Sequence, residues 1–141
     1  MPSYLVLDSG VLGQVVHKNR LIRDSIFNYL AGRPEMTVVL PEIADFEVRR
    51  SLLRIGSLIS LSLLDQFASE VKYLPIETSH MRRAAEVWAQ CRREGKPFCD
   101  SKSLDGDCIL IAQSLSLPGE VTVLTTNPSD IGRFVATETP I

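Results

Sequence analysis

Four acids or amides each stand just past an apolar run. Asp8 follows Tyr4-Leu-Val-Leu7, Glu47 lies beyond Val38-Val-Leu40, Asp107 opens Cys108-Ile-Leu-Ile-Ala112, and Asn127 follows Val121-Thr-Val-Leu124. Side chains so placed are remote along the chain, yet they can converge on one edge of a parallel sheet, where α/β proteins hold ligands. Two carboxylates about 4 Å apart repel by about 4 kcal/mol at an effective dielectric near 20, so three gathered acids need a cation or a proton. A hard divalent ion, Mg²⁺ or Mn²⁺, suits such an all-oxygen set better than zinc does. The chemistry open to it is polarisation of a phosphoryl oxygen and orientation of a water for in-line attack on phosphorus, which hydrolyses a phosphodiester.

Each residue also has a plainer explanation. Asp8 precedes Ser9-Gly10 and is a good turn or helix N-cap residue. Asp107 at a helix start enjoys the positive end of the macrodipole. Glu47 shares a helical stripe with Arg50, Ser51 and Arg54, so a solvated Glu47–Arg50 pair would account for it. Because residues two apart on a helix point about 200° apart, Asp45 cannot share a site with Glu47, and Asp105 and Asp107 diverge likewise. Asn127 before Pro128 is an ordinary turn starter. What sets these residues apart is their joint position at one end of one sheet. His17 and His80 sit in no metal-ligand spacing, and there is no Gly-x-Ser-x-Gly elbow, Cys-His pairing or glycine-rich phosphate loop.

The elements that would position them read as alternating strands and helices, the signature of βαβ units. Strands are expected at 4–7, 37–40, 71–74 and 121–125, with a weaker fifth at 134–137. Their runs are apolar on both faces, as suits strands covered by helices on either side. Helices are expected at 21–30, 42–55, 58–69, 79–93 and 105–115, with Pro41 in the first turn of the second and Gly56 separating the second from the third. The third carries Leu58, Ile59, Leu61, Leu63, Leu64 and Phe67, more apolar surface than a one-sided helix needs, so it either meets a partner or lies deep in the core. A polar, turn-rich stretch over 94–103 reads as a loop.

The chain has 141 residues, enough for one domain over 1–141. Its 45% hydrophobic and 23% charged content is that of a folded soluble protein. A formal charge of −2 excludes coating of nucleic acid by bulk electrostatics, so any such contact is local. Arg49-Arg50 with Arg54, Arg82-Arg83, and Arg92-Arg93 with Lys96 are the candidate patches, with solvated helix faces as the alternative. Cys91, Cys99 and Cys108 form no Cys-x-x-Cys pair, which fits a reducing cytoplasm. No run has the length to span a bilayer, and the first residues carry no basic leader.

Taken in order, the motifs resemble those of the PIN-domain ribonucleases, in particular the VapC-like toxins of bacterial toxin–antitoxin pairs. Tyr4-Leu-Val-Leu-Asp-Ser-Gly-Val-Leu12 resembles that family's opening strand and first acid, and Leu40-Pro-Glu-Ile-Ala-Asp-Phe-Glu-Val-Arg-Arg-Ser-Leu52 the segment with its second, at Glu47. Asp107-Cys-Ile-Leu-Ile-Ala112 is similar to its acid-plus-Ile-Ala helix, and Thr125-Thr-Asn-Pro-Ser-Asp-Ile131 to its closing motif. The resemblance implies a three-layer α/β/α domain with a central, mainly parallel sheet of four to five strands. It further implies a Mg²⁺- or Mn²⁺-dependent endoribonuclease that dimerises and, if a toxin, is inhibited by a small antitoxin. Asp8, Glu47 and Asp107 would hold the metal, with Asn127 completing the catalytic set. Asn127 stands where the family commonly has aspartate, so Asp105 and Asp130 are alternative donors for that position, and a catalytically weak or inactive binding module of the same fold is the alternative. Aspartyl-phosphate phosphatases need a second Asp where Gly10 stands, and receiver domains need paired acids after the first strand; neither pattern is present.

Overall fold

The computed structural model describes residues 1–95 and 104–140. The loop expected over 94–103 lies, from Lys96 through Cys99 to Ser103, outside the described residues. Along the chain the elements are β1 (Ser3–Leu7), α1 (Ser9–Val15), α2 (Arg20–Ala31), β2 (Thr37–Pro41), α3 (Glu42–Ile55) and α4 (Leu58–Glu70). They continue as β3 (Lys72–Leu74), α5 (Thr78–Arg93), α6 (Leu104–Leu115), β4 (Glu120–Leu124), α7 (Pro128–Ile131) and β5 (Ala136–Glu138). The strands form one sheet in the order β3-β2-β1-β4-β5, and every pairing is parallel.

Side chains of a strand alternate between faces, and the central strands use both. Val6, Val39 and Val123 point to one side, where they pack with Ala84 and Val87 of α5 and Ile111 of α6. Leu5, Leu7, Leu40 and Leu124 point to the other and meet Val11 and Leu12 of α1, Ile26 of α2, Ala44 of α3, and Leu64 and Phe67 of α4. The result is the three-layer α/β/α arrangement.

Two short helices, α1 and α7, replace what reads in the sequence as turns. Asp8 caps α1, and Val11, Leu12 and Val15 line its buried face at helical spacing. Asn127 and Pro128 open α7. Pro41 stands one residue earlier than expected: it ends β2, opposite Leu74, and is the N-cap of α3. Gly56 ends α3 at φ 71°, a left-handed conformation that glycine adopts at little cost. Helix α4 divides its apolar residues, burying Leu64 and Phe67 while exposing Leu58 and Ile59. Among the described residues no helix is long and apolar enough to cross a membrane.

The fully buried Gln113 joins the layers. Its Oε1 accepts the Ile43 N–H of α3 at 3.3 Å and its Nε2 donates to the Leu74 carbonyl of β3 at 2.8 Å, fixing α6 against both. Replacing it by leucine keeps the bulk but leaves the buried Ile43 N–H and the part-buried Leu74 carbonyl without partners, at about 1–3 kcal/mol each. Gln113→Leu should therefore lose about 2–5 kcal/mol in urea unfolding; an unchanged midpoint would show that water or a backbone shift supplies those bonds.

Candidate active site

Parallel pairing sets Leu7 opposite Leu124, so the next residues, Asp8 and Thr125, leave the sheet side by side at its C-terminal edge. Here the strand order reverses, with β2 on one side of β1 and β4 on the other, which is where open α/β sheets form their crevice. The Asp8 N–H donates to the Leu124 carbonyl at 3.0 Å. Its carboxylate is held at both oxygens: Oδ1 accepts the Ser9 N–H at 2.7 Å, and Oδ2 accepts the Thr125 hydroxyl at 2.6 Å. Thr125 is fully buried, and its oxygen also accepts the Asn127 N–H at 2.9 Å. The carboxylate thus has little rotational freedom.

The second acid comes from α3, whose rotation is set by its neighbour two residues back. Buried Asp45 accepts from Tyr73 on β3 at 2.6 Å and pairs with Arg49 at 2.9 Å, while Arg49 reaches Asp65 on α4 at 2.8 Å. With Asp45 turned to that side, Glu47 faces the other way and its side chain is only 19% exposed. A β-carbon at Gly106, in the first turn of α6, would lie 2.7 Å from Glu47 Oε2, so that turn rests on the carboxylate and any side chain there would push the carboxylate aside. Burial, and then the Asp8 carboxylate nearby, push the Glu47 carboxyl above its ordinary range. Arg50 opposes this weakly, since its Nη2 is 4.0 Å away and its side chain is 60% exposed.

Of the residues expected from sequence, Asp8 and Glu47 therefore share one electrostatic neighbourhood. Asp107 is buried and follows directly on Gly106. Asn127 turns its amide to α7, donating to the buried Asp130 at 3.2 Å and accepting from the Ser129 hydroxyl at 3.4 Å. Asp105 borders a cavity with Met81 and Trp88 on the α5 side. Among the described residues, no three His, Cys, Asp or Glu side chains are gathered closely enough to hold a metal ion between them. The pair Asp8 and Glu47 still fits a hard cation: its donors are all oxygen, and the Glu47 carboxyl stays raised despite the solvent-exposed Arg50 beside it.

A groove of ≈ 770 Å³ runs from Glu47 and Ser9 between α1, α3 and the start of α4, past Gly10, Gly13, His17, Lys18 and Ile55. Two site residues have no role in the sequence reading, Thr125 and Gly106. Thr125 follows Leu124 as Asp8 follows Leu7, so strand register would have found it; Gly106 is a glycine inside an otherwise helical run, a sign of close approach.

The raised Glu47 carboxyl has a sign in stability. The native state prefers that group protonated, so its contribution is intact below the unfolded glutamate pKa of about 4.3 and is lost as pH rises through the higher native value. Without divalent cations, Glu47→Gln should melt above the parent at pH 7, and the gap should close below about pH 4. Identical melting curves across that range would mean that the ionised carboxylate is adequately solvated.

Comparison with known proteins agrees with this fold. The PIN domain family model matches residues 5–129. No curated protein sequence matches the chain. Among solved structures it is similar to a chain of VapBC2 from Rickettsia felis bound to a DNA fragment from their promoter, at TM-score 0.72 and 17% identity over 96% of this chain and 98% of that one. DNA-bound VapBC from Salmonella typhimurium matches at TM-score 0.72 and 18% identity over 100% of both chains, and FitAcB from Neisseria gonorrhoeae at 0.67 and 17% over 96% and 97%. At such identities the structures speak for the fold, while the family model, spanning most of the sequence, establishes descent: the chain belongs to the PIN domain family.

Proposed function

We propose that this chain is a single-domain, metal-dependent endoribonuclease that hydrolyses RNA phosphodiester bonds and serves as the toxin of a toxin–antitoxin pair in the cytoplasm. The observation that carries the reading is the Asp8–Glu47 pair at the C-terminal edge of the sheet, half-buried and offset only by the solvent-exposed Arg50. Asp8 and Asp107 would ligate Mg²⁺ or Mn²⁺, with Glu47 sharing it or orienting the attacking water. Such an ion supplies charge stabilisation at the phosphoryl oxygen and acidifies water. Thr125 and Ser9 hold the Asp8 carboxylate in place, Gly106 leaves room for Glu47, and Asn127 anchors the turn that carries Thr125.

The partner part of the proposal is a small antitoxin and a second copy of the chain. It is supported by the VapBC neighbours and by exposed Leu53, Ile55, Leu58 and Ile59 around the end of α3 and start of α4. The rival reading, a PIN-fold binding module without catalysis, is favoured by Asn127 in the fourth position and by the lack of a preassembled three-acid cluster among the described residues.

Incubation with structured RNA in Mg²⁺ or Mn²⁺ separates the two. The parent should cut and EDTA should stop it. Asp8→Asn should lose more than the roughly 10- to 100-fold that even outer partners of a metal cost. Gly106→Ala should melt no lower, because alanine is the better helix former by about 1 kcal/mol, yet lose activity through the displaced Glu47. Equal cleavage by parent and Asp8→Asn would assign the activity to a contaminant or another site.

A further inference from the structure

We infer that the exposed ring of Phe46, with the Arg50 guanidinium lying over it, is a stacking platform for an unpaired base of the RNA next to the phosphate that is cut. The inference rests on the nuclease reading for its substrate but not for its test. Phe46 is 54% exposed, the most exposed of the described aromatic side chains, and it belongs to neither buried cluster. The fold therefore gains little from the ring. Its contact is Arg50, whose Cζ lies 5.2 Å from the ring centroid.

Position makes the ring relevant. Phe46 immediately precedes Glu47, and the same Arg50 that covers the ring stands 4.0 Å from the Glu47 carboxylate. Phe46, Arg50 and Arg54 fall at i, i+4 and i+8, one exposed row along α3 beside the row that holds Glu47. A strand laid across α3 with a phosphate at the acids meets Arg50 and Arg54 on its backbone and the Phe46 face at an adjoining base. Unpaired bases are recognised by aromatic and arginine planes in this way, and guanidinium can hold phosphate without leaving the ring. With a chain charge of −2, phosphate affinity has to come from such a local group. Arg49 cannot contribute equally, being committed to Asp45 and Asp65.

The test is binding without cleavage. Fluorescent single-stranded oligoribonucleotides, intact or with one abasic residue moved along the strand, are titrated in EDTA with the parent, Phe46→Ala and Phe46→Trp. Phe46→Ala should weaken binding of the intact strand roughly 5- to 100-fold, the range of one base–aromatic stack. Phe46→Trp should bind at least as well as the parent, and one abasic position should abolish the difference between parent and Phe46→Ala. Equal affinities, no binding by the parent, or a loss indifferent to every abasic position overturns the inference. So does a loss that accompanies conversion of a dimer to monomer in sedimentation, which would make the ring a contact between copies. A protein that binds through Phe46 yet never cuts upholds the platform and defeats the nuclease reading.

Discussion

The structure turns on the Glu47 carboxylate, held in a half-buried corner within electrostatic reach of Asp8 where water cannot fully compensate it. Like charges in that setting oppose each other, so the arrangement persists only because the backbone imposes it. Parallel register between β1 and β4 fixes Asp8 beside Thr125, and two hydrogen bonds clamp its oxygens. Helix α3 brings Glu47 from the other side, while α6, anchored through Gln113, closes over it with a glycine.

Helix α3 shows how one element treats two acids in opposite ways. Asp45 receives a tyrosine hydroxyl and an arginine, and Arg49 is shared onward with Asp65, so that charge is neutralised within the scaffold. The other side of that network is visible at Tyr73, whose hydroxyl is pushed well above its usual range by burial and then by its bond to Asp45. Glu47, two residues on, receives only a loosely paired, solvated Arg50 at 4.0 Å. Two residues of helix rotation separate an acid that stabilises the fold from one that the fold leaves in need of a partner.

Much of this was legible in the chain. Apolar runs of strand length alternating with helical periodicity gave the five strands and five longer helices to within a few residues, because both faces of the central strands are dry. Asp8, Glu47 and Asp107 stood out as polar residues at the ends of those runs. The short helices were not legible: α7 has four residues, and α1 opens with Ser9-Gly10, so capping by Asp8 and Asn127 looked the same as a turn. Thr125 and Gly106 escaped for another reason. Their importance arises from register and from the approach of α6 to α3, and neither long-range pairing is written in local periodicity.

Asp8 also starts α1, with its side-chain oxygen on the Ser9 amide, and asparagine serves that duty about as well as aspartate. Toward Thr125 the exchange is not neutral: the buried Thr125 hydroxyl donates to Asp8 and already accepts the Asn127 N–H, so an amide NH₂ facing it would take away the acceptor of its proton. Loss of the negative charge at this position thus keeps the helix start and costs one buried hydrogen bond, about 1–3 kcal/mol. One substitution could therefore discharge this corner of the molecule and leave the layers of the fold and the groove beside α1 in place.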